Sequence, residues 1–128
     1  RKVLFKMRSQ DVHHSAYMPF FRAQMNCVPG MITQFAFTPT MTTEEMRAEE
    51  SMVAKVRKIN KIRREKSLEL AQNGEEPLEN YEFDYLLLCN KICGTNHYNM
   101  QMKIVVDTPE DYEAWMAEQA TFAEAVKQ

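Results

Sequence analysis

The sequence predicts a mainly β fold: a Greek-key β-sandwich carrying a charged helical insertion and closed by a C-terminal helix. Three observations carry that prediction. Several short segments have strand composition or alternate apolar and polar residues between turn signals. The residues able to bind a metal lie in the stretches that connect them. One long central stretch instead has strongly helical composition.

Taken in order, Lys2–Met7 has partial strand character, with bulky apolar residues. The run Asp11-Val-His-His-Ser-Ala-Tyr-Met-Pro-Phe-Phe21 reads as a loop, because Pro19 forbids regular pairing there. Val28-Pro29-Gly30 is a turn signal, and Met31–Phe37 alternates like a half-buried strand. Tyr81–Leu88 begins with the same alternation, and Met102–Val106 is another short strand.

Between these halves, Thr42 and Glu45 have capping-box spacing at the start of a helix, and Gly74 is its C-terminal stop. Met46, Val53, Val56 and Ile59 form a narrow apolar stripe. Acids cluster early (Glu44, Glu45, Glu49, Glu50) and bases late (Lys55 to Lys66), as a helix dipole favours. Thr108, Pro109, Glu110 and Asp111 open a final helix, whose Tyr112, Trp115 and Met116 should pack on the sandwich. The expected organisation is therefore 1–41 as the first part of a domain, 42–74 as the helical insertion, and 75–128 as the second part.

Composition excludes more than it assigns. A net charge of −2, a pI near 6.0 and no aromatics interleaved with bases argue against nucleic-acid binding. Three cysteines are an odd number, a poor basis for a disulfide framework. No apolar run approaches the roughly 18–20 residues needed to span a bilayer.

The chemistry lies in Cys89-Asn-Lys-Ile-Cys93-Gly-Thr-Asn-His97-Tyr-Asn-Met100. Two thiols, an imidazole and a thioether within twelve residues form a soft ligand set, which selects copper over magnesium, calcium or manganese. Zinc accepts Cys and His but rarely Met. Two cysteines go beyond the single Cys of a mononuclear blue-copper site and point to two copper ions bridged by both sulfurs. A second imidazole must then come from elsewhere, and His13 and His14 are available. In an extended segment only one of these neighbours can face the metal.

The combination of Asp11-Val-His-His-Ser15, Val28-Pro-Gly30, the Cys89–Met100 run and Glu110-Asp-Tyr-Glu-Ala-Trp-Met116 resembles the binuclear copper (CuA) domain of cytochrome c oxidase subunit II. The resemblance runs from about Arg1 to Thr40 and resumes from about Tyr81 to Glu118. It implies a cupredoxin-like fold, with Cys89 and Cys93 bridging two copper ions. It further implies His14 and Met100 on one copper, and His97 with the main-chain carbonyl of Lys91 on the other. The family's ligand directly precedes the Ser, which selects His14 and leaves His13 as a packed or surface residue. Asp11 and Ser15 are read as hydrogen-bonders that steady the loop. Cys27 is read as a small buried residue, and Met102 as part of the core.

The implied function is electron transfer in a haem-copper terminal oxidase. A cytochrome c would be the donor, haem in catalytic subunit I the acceptor, and other oxidase subunits further partners. The implied location is the outer, periplasmic face of the bacterial inner membrane. Members of the family normally carry a pair of transmembrane helices and early aromatic strands before this domain, including an electron-accepting tryptophan. Because this chain starts at Arg1 and has only Trp115, it reads as the C-terminal part of a longer subunit or one piece of a split one. The family often has Glu where Lys91 stands, with a magnesium ion on its carboxylate. A protonated lysine has no lone pair for that ion, so no magnesium is expected here.

Three alternatives stay open at the level of sequence. A mononuclear cupredoxin carrier would need only one Cys. The copper domain of nitrous-oxide reductase usually has Trp–Phe at the position of Lys91–Ile92. A structural zinc module would leave Met100 unused.

Overall fold

The computed structural model describes residues 1–121 and 123. Six strands run in chain order as β1 (Val3–Met7), β2 (His14–Met18), β3 (Ala23–Cys27), β4 (Thr33–Phe37), β5 (Tyr85–Cys89) and β6 (Gln101–Ile104). They form two antiparallel sheets, β1–β4 and β3–β2–β5–β6. The expected two-sheet architecture is therefore the one observed.

The first departure from expectation lies in β2. His14–Met18 is a strand, not a loop. Pro19 does not break it, because Pro19 opens the short 3-10 turn Pro19–Phe21 that follows. The strand lies between β3 and β5 with Ser15, Ala16 and Met18 buried, so the polar–apolar alternation that marks a one-sided strand never develops. Elsewhere the turn chemistry is as read. The Met31 amide donates to the Val28 carbonyl, and Gly30 sits at φ 80° at the third position of a Pro–Gly turn.

The sheets are joined by aromatic rings. Phe5 stacks at 5.5 Å on both Phe35 and Phe37. Phe21 lies 4.7 Å from Phe37 and 4.5 Å from Tyr85, bridging one sheet to the other. Phe83, Tyr85 and Met52 are the buried centre, with Phe20, Phe21, Met46, Val56, Ile104 and Val106 packed around them.

The helical stretch is broken in two: α1 (Thr43–Ala48) and α2 (Glu50–Gln72). The Thr42–Glu45 capping box forms in full. Glu49 adopts extended backbone, and its carboxylate accepts from the Ser51 and Met52 amides, capping the second helix. Gly74, at φ 76°, donates to the Ala71 carbonyl while the Glu75 amide donates to Leu70, a Schellman ending. Thr43 fastens α1 to the chain beyond β6: its amide donates to the Val106 carbonyl and its hydroxyl accepts from the Val106 amide, each at 2.8 Å.

The apolar stripe also departs from expectation. Met52 is buried, whereas Val53 is 39% exposed, and the last turn of α2 carries no base. Further along, the inward side of α2 is covered by residues 75–84, which return beside it without strand pairing. Asn60 clasps Tyr81 by accepting from its amide (2.6 Å) and donating to its carbonyl (2.9 Å). Arg63 donates to the Glu79 carbonyl and Ser67 accepts from the Leu78 amide. This is why the strand expected from Tyr81 starts only at Tyr85.

The final helix, α3 (Pro109–Glu118), is capped by Thr108 as read. Its Tyr112, Trp115 and Met116 remain 40–51% exposed, so they do not pack on the sheets as expected. Met102 is likewise 59% exposed, because it points outward from the edge strand β6. None of the helices among the described residues is long and apolar enough to cross a membrane.

Candidate metal centre

Three segments meet at the end of β5. Ala16 on β2 pairs with Cys89 on β5. Cross-strand partners share a face, as do residues two apart, so His14 lies on the Cys89 side of the sheet. Its Nδ1 is 3.8 Å from Cys89 Sγ. His13 points the other way and is exposed.

Beyond Cys89 the chain folds back on itself. The His97 amide donates to the Gly94 carbonyl, and the Met100 amide to His97, around the 3-10 turn His97–Asn99. The Cys89 amide then donates to the Met100 carbonyl at 3.0 Å, closing the loop at its base. Inside it, Cys93 Sγ lies 3.7 Å from Cys89 Sγ, 3.5 Å from His97 Nδ1 and 3.7 Å from Met100 Sδ. The Lys91 carbonyl is 3.3 Å from Cys89 Sγ.

All six residues singled out from the sequence therefore lie in one cluster. The donor atoms of His14, Cys89 and Cys93 lie within 4.8 Å of one another, while His97 and Met100 approach from the Cys93 side. Both cysteines are free thiols. Their separation exceeds a disulfide bond of about 2.05 Å and is shorter than two metal–thiolate bonds of about 2.3 Å each. One ion can thus reach both sulfurs, and the donor set suits a soft metal.

The electrostatics favour a thiolate. Burial alone would raise the Cys89 thiol. Main-chain hydrogen bonds at Lys91 and Ser15, together with His14 and Cys93, instead bring it down to about 6. Burial and the neighbouring Cys89 push Cys93 the other way, so the pair gives up its first proton at Cys89. Hydrogen bonds to Asp11 and then to Cys89 hold His14 above its usual value near 6.5.

Asp11 has a larger place than a loop-steadying role. Its carboxylate lies 2.8 Å from His14 Nε2, leaving Nδ1 turned to the sulfurs. That is the carboxylate–histidine arrangement that orients metal ligands. In the sequence Asp11 stands three residues before His14. Ser15 is buried with its hydroxyl unpartnered among the described residues, so it contributes through its main chain. Cys27 is half-buried, directly across from His14 in the β2–β3 ladder.

The chain is 32% identical over 117 residues to the alternative cytochrome c oxidase subunit 2 of Bradyrhizobium diazoefficiens, a match covering 91% of this chain and 28% of that protein. This chain is related to cytochrome c oxidase subunit II. A second subunit II relative, cytochrome c oxidase subunit 2 of Thermostichus vulcanus, is 23% identical over 126 residues, 98% of this chain and 26% of that protein. The chain thus spans about a quarter of the length of the subunit II relatives it matches. No protein-family model matches it. Among solved structures, the periplasmic domain of subunit II of cytochrome oxidase (CoxB) of Bradyrhizobium japonicum superposes with a TM-score of 0.57 at 14% identity, covering 98% of this chain and 59% of that one. The fold is that of the cupredoxin-like periplasmic domain of subunit II.

Proposed function

We propose that this chain is the electron-transfer part of a haem-copper terminal oxidase, holding a binuclear copper centre at the periplasmic face of the membrane. On this reading it takes electrons from a cytochrome c and delivers them to haem in the catalytic subunit, in a complex with the other oxidase subunits. Residues 42–74 are then an insertion between two parts of one copper-binding domain.

The observation that carries the reading is the pairing of donors. Two thiols stand 3.7 Å apart, and each has an imidazole Nδ1 within 3.8 Å. Cys89 and Cys93 would bridge both ions. His14 and Met100 would complete one, and His97 with the Lys91 carbonyl the other. The bound pair would supply one shared electron vacancy, spread over two metals and two sulfurs.

The protein's own contribution is to hold those donors still. The β2–β5 ladder fixes His14 against Cys89, and the closed loop fixes Cys93, His97 and Met100 relative to Cys89. Donors already in place need little rearrangement when an electron arrives or leaves. Asp11 keeps the His14 ring oriented, and the low thiol value at Cys89 makes the anion available at neutral pH.

The test is electron paramagnetic resonance of the copper-reconstituted, oxidised protein, with metal content measured on the same sample. Hyperfine structure from one electron on two copper nuclei is expected. A single-copper pattern, or a silent zinc-loaded protein, would overturn the reading.

A further inference from the structure

Away from the candidate metal centre, α2 is strongly cationic. Between Lys55 and Lys66 the chain carries seven cations and one anion, although its net charge is −2. The inward side of the helix is spoken for: Met52 and Val56 pack on the core, and Asn60, Arg63 and Ser67 hold the returning segment. Lys55 sits over the Phe20 ring at 5.4 Å.

The outward side is different. Arg57, Lys61 and Arg64 recur at helical spacing along one exposed stripe, and the exposed Lys58 flanks it one position round the helix. Among the described residues Arg57, Lys58 and Arg64 have no ion-pair partner, and Lys61 reaches Glu65 only at 4.0 Å. Beside the stripe lie Ile62, 56% exposed, and Leu68, 68% exposed.

We infer that this stripe docks an acidic protein surface, a carboxylate-lined element of another subunit in the assembly. The inference rests on the assembly part of the function proposed above and is independent of copper. Two features favour protein over lipid. A helix lying in a membrane interface buries a broad apolar face, and α2 turns its apolar side inward. A row of three cations with a fourth on its flank instead matches a set of carboxylates, with Ile62 and Leu68 available as apolar anchors. The helix also packs at the other end of β5 from the candidate metal centre. The core under α2 is at Phe83 and Tyr85, where β5 begins, whereas the ligands gather where β5 ends at Cys89.

The experiment uses the purified full oxidase complex. A carbodiimide, which joins lysine amines to carboxylates without a spacer, is applied and the products are mapped by mass spectrometry. Cross-links from Lys58 or Lys61 to Asp or Glu of a different polypeptide are expected. That polypeptide should be lost at physiological ionic strength from the R57E/K58E/K61E/R64E variant. It should be retained in R57K/K58R/K61R/R64K, which keeps the charge. Cross-links confined to Glu65 or to a second copy of this chain, with unchanged subunit composition, would overturn the inference. So would charge-dependent binding of phosphatidylglycerol vesicles without any polypeptide cross-link. The copper resonance recorded on the same samples reports on the metal reading separately and should be identical in all three.

Discussion

Ala16 faces Cys89 across the β2–β5 ladder, and this one pairing brings His14 to the thiolate from 75 residues away. A shift of the ladder by one residue would turn His13 toward the sulfurs and His14 away. The proposed metal centre would therefore depend on strand register as much as on the ligands themselves.

The ligand assignments predict different losses. Cys89→Ser and Cys93→Ser should each abolish the two-copper hyperfine pattern, because each sulfur is assigned to both ions. Met100→Leu should retain both coppers and shift the reduction potential, since a weak thioether ligand tunes potential more than it holds metal. Metal analysis with a redox titration separates these outcomes, and loss of all copper from Met100→Leu would contradict the weak-ligand role.

Acid should compete with copper at His14. Its value is raised by Asp11, so in the metal-free protein the ion pair stabilises fully below about 6.5, and that stability is lost as pH rises through the folded value. Copper needs the neutral ring, so uptake should strengthen over the same rise. Asp11→Asn should move the midpoint of uptake to lower pH. Once the ring is neutral in both proteins it should weaken affinity by about 10–100-fold, as loss of an orienting carboxylate does. Copper titrations across a pH series read both effects.

Asp84 ties the start of β5 to its surroundings. It lies 2.9 Å from Arg47 and 2.6 Å from Lys103, and its side chain is only 14% exposed. Burial works to raise its carboxyl, but the hydrogen bonds to Lys103 and Arg47 outweigh it and hold the group below its usual 3.8. A depressed value means stability that is present above about 3.8 and lost as pH falls through the folded value. Asp84→Asn should cost about 1–3 kcal/mol in denaturant unfolding at pH 7. That cost should shrink as the pH is lowered below about 3.8 and through the folded value.

Asn60→Ala removes both hydrogen bonds to the Tyr81 backbone. The cost should be about 1–3 kcal/mol. Hydrogen exchange should show faster opening around residues 78–81, while the copper spectrum stays unchanged. A change at the metal centre would mean that the returning segment and the ligand loop are coupled.

The ligand loop was legible because its donors are close in sequence and their spacing survives folding. The choice of His14 over His13 needed the family pattern, and only the strand pairing explains it. His14–Met18 escaped as a strand because both its faces are covered, which erases the alternation by which strands are recognised. The break between α1 and α2 escaped because Glu49, a good helix residue by composition, here spends its carboxylate on the amides that follow. The exposed Tyr112, Trp115 and Met116 show a further limit: an apolar stripe marks a face that can be covered without saying what covers it.

The hydrogen bond from the Cys89 amide to the Met100 carbonyl makes the ligand loop a cassette with a single stem. Cys93, His97 and Met100 lie within the span that this bond closes, leaving His14 as the one side-chain donor the scaffold must bring from elsewhere. Such a loop is portable. Grafted between two antiparallel strands of another β-sandwich, it would need only one histidine, two residues before the position that pairs with the first cysteine. Lengthening or shortening its interior by one residue would ruin it in any host.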